Sequence, residues 1–479
     1  MGFALSILYF LICYLTPQML FGALAVYRIA LILICVILLL SIPSMQGSII
    51  WKTVQSFALG GFLFAIFASG VFGEHWISGG LTAIQEVAPN VLVYFLICLH
   101  CNSKKKLQIV ILALLSICLF VIVEGAIELH TGTSLLSSGN VDSNTPYVFK
   151  MGVGEGQFLY RVRGEGQIAD PNDFAQLMVC VLPLLFFFWK PKRKFRNFIC
   201  VLLPSGVLLW GLFLTHSRGG MLALIGVVLV ASRKRIGTVP ALIVAGAVFA
   251  GASALHFAGQ RDISLAAGAD RTEFWGDSLE LLKTHPLFGV GFEQTPDYFG
   301  HTAHNTIAVC AAELGLTGLF FWSMFVFLTV RDTLAVAGLA ETSEVAPPMK
   351  YERAYVYVAG VEEGNVMERM VKAKAEERTI SWENGEGTRE DRMDTIRMGR
   401  LLLTSLVGFM VAGWFLSRAY TITLFLLGGF ASVIFHIAQK QGMDLRRIRL
   451  GRALRDASIT TAALIVLMYI VLRFVNLSR

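Results

Sequence analysis

The chain has 479 residues, of which 55% are hydrophobic and 15% are charged, and its formal net charge is +7. Soluble domains carry about 25% charged residues, so this composition excludes an ordinary soluble protein. Apolar runs near twenty residues recur along the chain, which is about the length that a bilayer core of roughly 30 Å requires. We therefore predict an all-α polytopic membrane protein with about 12–13 transmembrane helices, because helices satisfy their own backbone hydrogen bonds in lipid.

The apolar runs also divide the chain. They predict spans at 3–15, 24–43, 54–72, 88–100, 107–124, 172–189, 197–214, 217–232, 238–256, 305–330, 401–416, 419–438 and 457–475. We divide the chain into a transmembrane core, 1–330, an insertion, 331–400, and C-terminal transmembrane helices, 401–479. The core includes two long connecting segments, 125–171 and 257–303.

Basic clusters set the expected orientation. The sequences "SKKK", "KPKRKF", "SRKR" and "RRIRLGRALR" each adjoin a predicted span. Lys and Arg concentrate in cytoplasmic loops, so these clusters and the insertion should lie inside, and both long connecting segments should lie outside. The position of each cluster beside a span argues against nucleic-acid binding.

The first outer segment ends in "RVRGEGQIADPNDF". Asp170 is a good N-cap and Pro171 fits the first helical position, so a helix should begin here, which is the structural alternative to substrate binding by Asp170. Arg163, in a Gly-flanked loop, has no such structural explanation.

In "LTHSRGG", Arg218 begins a span, where a cation opposes the helix dipole and is costly at membrane depth. We expect an anionic partner for Arg218, with snorkelling to headgroups as the alternative.

The second outer segment contains "DRTEFWGDSLELLKTHPLFGVGF". Its apolar spacing predicts an amphipathic helix on the membrane surface, carrying Arg271 with Trp275 four residues later, and Pro286 should stop that helix. Gly289 and Gly291 follow. A lone Gly-x-Gly is weak evidence for a phosphate cradle, so we interpret it as a turn.

The stretch "HTAHNTIAVCAAELGLTGLFFW" places polar groups at the mouth of an apolar helix. His304 is a base that titrates near neutral pH, and Asn305 follows it. Glu313 lies further inside, where a buried acid has either a structural polar partner or a functional role. Gly315 and Gly318 lie on one face of this helix and should allow close helix packing.

These groups fit one kind of chemistry. Arginines bind phosphates by forked, charge-assisted hydrogen bonds. A histidine beside them can remove a proton from a hydroxyl group. Together they predict glycan transfer from a lipid diphosphate to a hydroxyl acceptor at the outer face. No Walker loop, zinc motif or Gly-x-Ser-x-Gly elbow occurs, so we expect neither a cofactor nor a metal.

The sequence resembles a known family at these residues. "HNTIAVCAAELGLTG" fits the His-Asn-x9-Gly-x-x-Gly signature of bacterial O-antigen ligases. "LTHSRGG", "RGEGQIADPNDFA" and "HPLFGVGF" are similar to the other blocks of the O-antigen ligase and polymerase superfamily. The detailed similarity covers about residues 150–330. The insertion 331–400 is larger than we expect for this family.

The resemblance implies a metal-independent, polytopic glycosyltransferase of the bacterial inner membrane, with its site facing the periplasm. It implies an undecaprenyl-diphosphate-linked glycan as donor and lipid A–core or a growing glycan as acceptor. Its presumed base corresponds to His304, and its diphosphate-binding arginines correspond to Arg218 and Arg271. Arg163, Asn305, Glu313 and Asp170 are further candidates for substrate binding. A polymerase of the same superfamily and a lipid-linked glycan flippase or transporter remain the alternatives.

Overall fold

The structure is a computed structural model of the chain. It describes residues 2–17, 29–133, 147–154, 157–254, 257, 269–300, 302–342 and 388–477. Most of the predicted insertion, residues 343–387, lies outside the described residues.

Helices make up most of the described chain. We number them α1 (Gly2–Leu15), α2 (Ile29–Met45), α3 (Val54–Phe72), α4 (Ile77–His100), α5 (Lys104–Thr131), α6 (Pro171–Leu184), α7 (Lys194–Leu214), α8 (Arg218–Ile236), α9 (Thr238–Ala254), α10 (Ala269–Thr284), α11 (Thr295–Phe299), α12 (Thr306–Thr342), α13 (Arg389–Gly413), α14 (Ile422–Lys440) and α15 (Leu450–Leu477). Short 3-10 helices occupy Ile49–Lys52, Gly166–Ile168 and Leu185–Phe188, and α7 contains a π-helical turn at Phe198–Leu202.

The helix lengths confirm the predicted fold class. Within the described ranges, nine helices are long and apolar enough to cross a membrane: α3, α4, α5, α6 with the turn after it, α7, α12, α13, α14 and α15. Helices α1, α2 and α9 are apolar but shorter. The chain is therefore an all-α polytopic membrane protein. Helices α12 and α13 extend into the predicted insertion, because their charged turns continue the helix beyond the apolar run.

Helix α12 lies at the centre of the bundle, where it packs against α3, α10, α13, α14 and α15. Small residues on its neighbours permit this close packing. A Cβ atom at Gly61 of α3 would lie 2.2 Å from the Phe321 ring, and one at Gly428 of α14 would lie 2.3 Å from the Phe325 ring. Phe325 and Trp322 are consequently buried.

The bundle has two chemically different ends. At one end, Lys104 of α5 donates to the Asp391 carbonyl of α13 at 2.6 Å, and Arg331 of α12 donates to the Arg446 carbonyl at 3.0 Å. We call this the basic end, because the described basic clusters lie here. At the other end, called the loop end, α6, α8 and α12 begin and α13 ends.

A two-stranded hairpin lies at the loop end, where the sequence predicted no strand. Strand β1 (Val148–Gly154) pairs antiparallel with β2 (Gln157–Val162), and Val148 is opposite Val162. The hairpin packs on the end of α5, where a Cβ atom at Gly125 would lie 2.5 Å from the Val162 side chain. The hairpin thereby brings Arg161 and Arg163 to the beginning of α6.

Helix α12 is broken one-quarter of the way along its length. Gly315 has φ 63° and ψ −163°, which are not helical values. The freed backbone groups pair with the segment after α10: Val290 donates to the Ala312 carbonyl at 3.0 Å, and Leu316 donates to the Pro286 carbonyl at 2.8 Å. The close neighbour of Gly315 is thus the turn at Leu287–Gly289, whereas the sequence suggested another helix. The "HPLFGVGF" block forms the predicted turn, with Gly289 at φ +69°.

We expect Gly289→Ala to destabilise the protein more than Gly300→Ala does. Both glycines have a left-handed φ, +69° and +74°, so each alanine carries strain of about 1–2 kcal/mol. Only at Gly289 would the new Cβ meet backbone, 2.3 Å from the Glu313 carbonyl carbon, while at Gly300 it meets open space. Thermal unfolding of the two variants in detergent measures the difference. Equal losses would contradict the close packing of this turn.

Candidate active site at the loop end

Three helices begin at the loop end, and each has a side-chain cap. Asp170 accepts a hydrogen bond from the Asn172 amide of α6, Ser217 from the Gly220 amide of α8, and Asn305 from the Ile307 amide of α12. Helix N-termini carry partial positive charge, so three of them at one end favour an anionic ligand there. The predicted helix start at Asp170 is confirmed.

Asn172 joins two of these helices to the hairpin. Its side-chain oxygen accepts from the Ser217 hydroxyl at 2.8 Å and from the Arg161 guanidinium at 2.9 Å. Arg161 is buried and also donates from Nε to the Thr215 carbonyl at 2.7 Å. The N–H groups of Arg161 therefore donate to acceptors within the protein, and Arg161 holds the α7–α8 turn beside the start of α6.

The connection between α13 and α14, residues 414–421, covers the beginning of α12. Asn305 donates to the Trp414 carbonyl at 3.0 Å, and Thr306 donates to the Leu416 carbonyl at 2.7 Å. The Arg418 amide in turn donates to the Thr306 hydroxyl at 3.0 Å. This 414–421 connection therefore has a fixed path across the loop end, although the sequence suggested only a short link between spans.

Arg418 forms an ion pair with Asp173 in the first turn of α6. The Asp173 side chain is buried and that of Arg418 is 22% exposed. Burial lowers the pKa of Arg418 to about 10, and the nearby Asp170 carboxylate opposes that shift. The guanidinium therefore stays charged at neutral pH. Neither residue was among the sequence candidates for binding, and this pair links α6 to the beginning of α12.

Arg218 is the first residue of α8 and is partly buried. The residues that follow it fix its surroundings. A Cβ atom at Gly219 would lie 3.5 Å from Cβ of Phe415 in the 414–421 connection, and one at Gly220 would lie 2.7 Å from Cβ of Ala175 in α6. The backbone of Arg218 therefore lies between the start of α6 and the connection that carries Arg418.

His304 lies at the same end, two residues before α12, and is exposed. Its φ is +48°, a left-handed value that is uncommon outside glycine and is retained where the surroundings fix the backbone. Both neighbours are fixed: Asn305 caps α12, and the Ala303 carbonyl accepts from Trp275 Nε1 at 2.9 Å. Trp275 also meets Trp414 edge to face, with 5.8 Å between ring centroids.

Arg271 lies in α10, whose predicted stop before Pro286 agrees with the observed end at Thr284. The Arg271 side chain lies outside the described part of the chain. Its backbone is about one helical turn before Trp275, the residue that bonds to the Ala303 carbonyl. The first turns of α10 are therefore near His304.

Arg163 lies just after β2, where its Nη1 donates to the Ala169 carbonyl at 3.2 Å. Its guanidinium carbon is 5.6 Å from the centre of the Phe149 ring. Arg163 consequently braces the loop before α6. Asp170 is the last residue of that loop, and its exposed side chain caps α6.

Glu313 is buried, and both of its carboxylate oxygens accept hydrogen bonds. Thr295 donates to Oε1 at 2.8 Å and Tyr420 donates to Oε2 at 2.9 Å. Asn305 is also fully buried, with its oxygen and its amide used in contacts within the protein. These contacts favour structural roles for both residues: Asn305 holds the start of α12, and Glu313 ties the 414–421 connection to the broken part of α12.

One feature of the sequence indicates a role for Arg418, although the apolar residues around it make it easy to overlook. It is a single base in the connection between two apolar helices, at the end opposite the basic clusters. A cation in that position is costly to keep and indicates an anionic partner. In the sequence, Asp173 is an ordinary acidic residue in the first turn of a helix.

Comparison with known proteins adds one finding to this geometry. Residues 200–323 match the family model described as O-antigen ligase. No curated protein matches the chain. The matched range includes Arg218, Arg271 and His304 and ends before Arg418. The match, together with the helical architecture, supports the resemblance to the O-antigen ligase superfamily and locates an O-antigen ligase domain at residues 200–323.

Proposed function

We propose that this protein transfers a glycan from undecaprenyl diphosphate to a hydroxyl acceptor, lipid A–core, at the periplasmic face of the bacterial inner membrane. The O-antigen ligase match at residues 200–323 implies glycosyltransferase-like activity and lipid-linked glycan partners in general. The donor, the acceptor and the residue roles belong to our proposal.

One observation carries the proposal. The N-termini of α6, α8 and α12 lie at the loop end and are linked by the 414–421 connection, with Arg218 at the start of α8 and Arg418 beside α6. Oriented backbone amides and guanidinium groups together suit a phosphate-bearing ligand. His304 lies at the same end, so an acceptor hydroxyl bound beside it would meet the sugar of that ligand.

The chemistry needs only the donor and the acceptor. The acceptor oxygen attacks the anomeric carbon from the face opposite the diphosphate and forms the new glycosidic bond, while His304 accepts the hydroxyl proton. The bond from the anomeric carbon to the diphosphate oxygen breaks, and its electron pair leaves with the diphosphate. Arg218 and Arg271 stabilise that growing charge, and the anomeric configuration inverts. We propose that no metal ion takes part.

The distribution of basic residues supports a periplasmic site. Lys104, Arg235, Arg331 and Arg446 represent the clusters at the basic end. Lys and Arg in short loops mark the cytoplasmic side, which leaves the loop end on the other side of the membrane.

Reconstitution in vesicles tests the function. Purified protein would receive an undecaprenyl-diphosphate-linked oligosaccharide and lipid A–core, and products would be separated on a gel. We expect lipid A–core to shift to slower migration. A ladder of longer glycans without lipid A–core would identify a polymerase. Donor movement across the vesicle without any product would identify a flippase and contradict the transfer reaction.

A further inference from the structure

We propose that Arg418 is a diphosphate-binding residue of this site and that Asp173 positions its guanidinium group. This inference rests on the proposed function and extends it beyond the residues of the family domain. Arg418 would then act together with Arg218 and Arg271. It belongs to the C-terminal region, for which the sequence predicted only membrane spans.

Arg418 lies beside two helix N-termini. The Arg418 amide bonds to the Thr306 hydroxyl at 3.0 Å, and its guanidinium pairs with Asp173, the third residue of α6. One residue therefore contacts the N-termini of both α6 and α12, through its side chain and its backbone amide respectively. A phosphate group bound by the backbone amides of either helix would be near this guanidinium.

The guanidinium group of Arg418 has more hydrogen-bond donors than its contact with Asp173 uses. A guanidinium group has five N–H donors, and buried donors are normally bonded. Arg418 meets Asp173 through Nη2, while its Nε is buried with no acceptor among the described residues. With its side chain 22% exposed, the group also remains accessible. It can therefore hold Asp173 and still offer donors to an oxyanion.

Arg161 provides a comparison within the same region. Its Nε donates to the Thr215 carbonyl and its Nη2 to Asn172, and the residue is only 3% exposed. This is the pattern of an arginine that holds protein segments together. Arg418 differs from Arg161 in having a buried Nε without such an acceptor and a side chain that is 22% exposed.

Asp173 supplies the orientation. It is buried in the first turn of α6, where a carboxylate also interacts favourably with the helix dipole. A carboxylate on one nitrogen restricts the rotation of the guanidinium plane, so less entropy is lost when an anion binds. Asp173 thus acts through Arg418 and need not touch the ligand.

Binding measurements on full-length protein in nanodiscs of zwitterionic lipid test this proposal. The probes are undecaprenyl diphosphate and undecaprenyl phosphate, without a sugar. Arg418→Lys keeps the charge and its contact with Asp173 but loses the planar fork, so we expect diphosphate affinity to fall about tenfold. Affinity for the monophosphate should fall less. Asp173→Asn should weaken diphosphate binding too, and should add little in the Arg418→Lys background.

Lys283→Ala is the control for a change at another basic side chain near the loop end. Lys283 is 71% exposed and pairs with Glu280, so binding of both probes should be unchanged. The unfolding temperature of every variant reports whether it folds.

The outcomes separate this inference from the function on which it rests. Equal losses for diphosphate and monophosphate, or no loss, would overturn the binding role of Arg418. If Arg418→Lys causes no loss but Arg218→Lys weakens diphosphate binding, the proposed function survives without a role for Arg418. If the unchanged protein binds neither probe, the proposed function fails and this inference fails with it.

Discussion

Replacing His304 with asparagine should lower glycan transfer by about 100- to 10,000-fold, the usual contribution of a general base. Asparagine is the informative substitution because it tolerates the left-handed backbone at φ +48° and cannot act as a base near neutral pH. The cap at Asn305 and the contact between Trp275 and Ala303 should persist. Binding of undecaprenyl diphosphate should therefore stay close to that of the unchanged protein. Single-turnover transfer and a separate binding measurement test both statements.

His285→Ala is the control for the loss of an imidazole. His285 follows α10, and its ring contacts the Thr284 hydroxyl at 3.0 Å, so transfer should be unaffected. Normal transfer by the His304→Asn variant would show that His304 is not the base. An equal fall in donor binding and transfer would instead assign it a structural role.

Replacing Arg218 with lysine should lower the transfer rate by about 100-fold or more, the scale seen when one donor to a developing oxyanion is removed. Lysine keeps the charge at the start of α8 but presents a point charge where arginine presents a planar fork. Because the diphosphate gains charge as the glycosidic bond breaks, kcat should fall more than KM for the donor rises. Initial rates at several donor concentrations separate these two effects.

Arg233→Lys is a matched control on the same helix. Arg233 lies at the opposite, basic end of α8 and is exposed, so the same change of chemistry there should leave transfer intact. If Arg218→Lys transferred glycan at the normal rate, forked recognition of the diphosphate by this residue would be wrong. Loss of transfer in both variants would indicate a general effect on α8.

Local features of the chain determined much of the architecture in advance. Apolar runs matched the helices because a bilayer selects spans by length and hydropathy, and "ADPND" predicted the start of α6 because a cap depends on its nearest neighbours. The predicted ends of the helices were less accurate. Helix α4 begins at Ile77, well before the predicted 88, because its first turns are less apolar and it continues through Pro89.

The hairpin and the broken helix depended on contacts beyond the local pattern. Strands β1 and β2 are short and lie in a connection that hydropathy describes only as polar. Gly315 was interpreted as a helix-packing residue because the spacing of Gly315 and Gly318 assumes a continuous helix and cannot show that the helix is broken. The break forms because the segment at 286–291 arrives to bond the freed backbone groups.

The sequence by itself determined the membrane-spanning class, the start of α6 at the Asp170 cap and the His304 and Arg218 blocks, and residues 200–323 match the O-antigen ligase family. Tertiary structure alone decided that Arg418 pairs with Asp173 and that Tyr420 bonds to Glu313. The physical reason is range. Hydropathy and capping act over a few residues, whereas these contacts join residues far apart in the chain and exist only after α6, α12 and α13 have packed together.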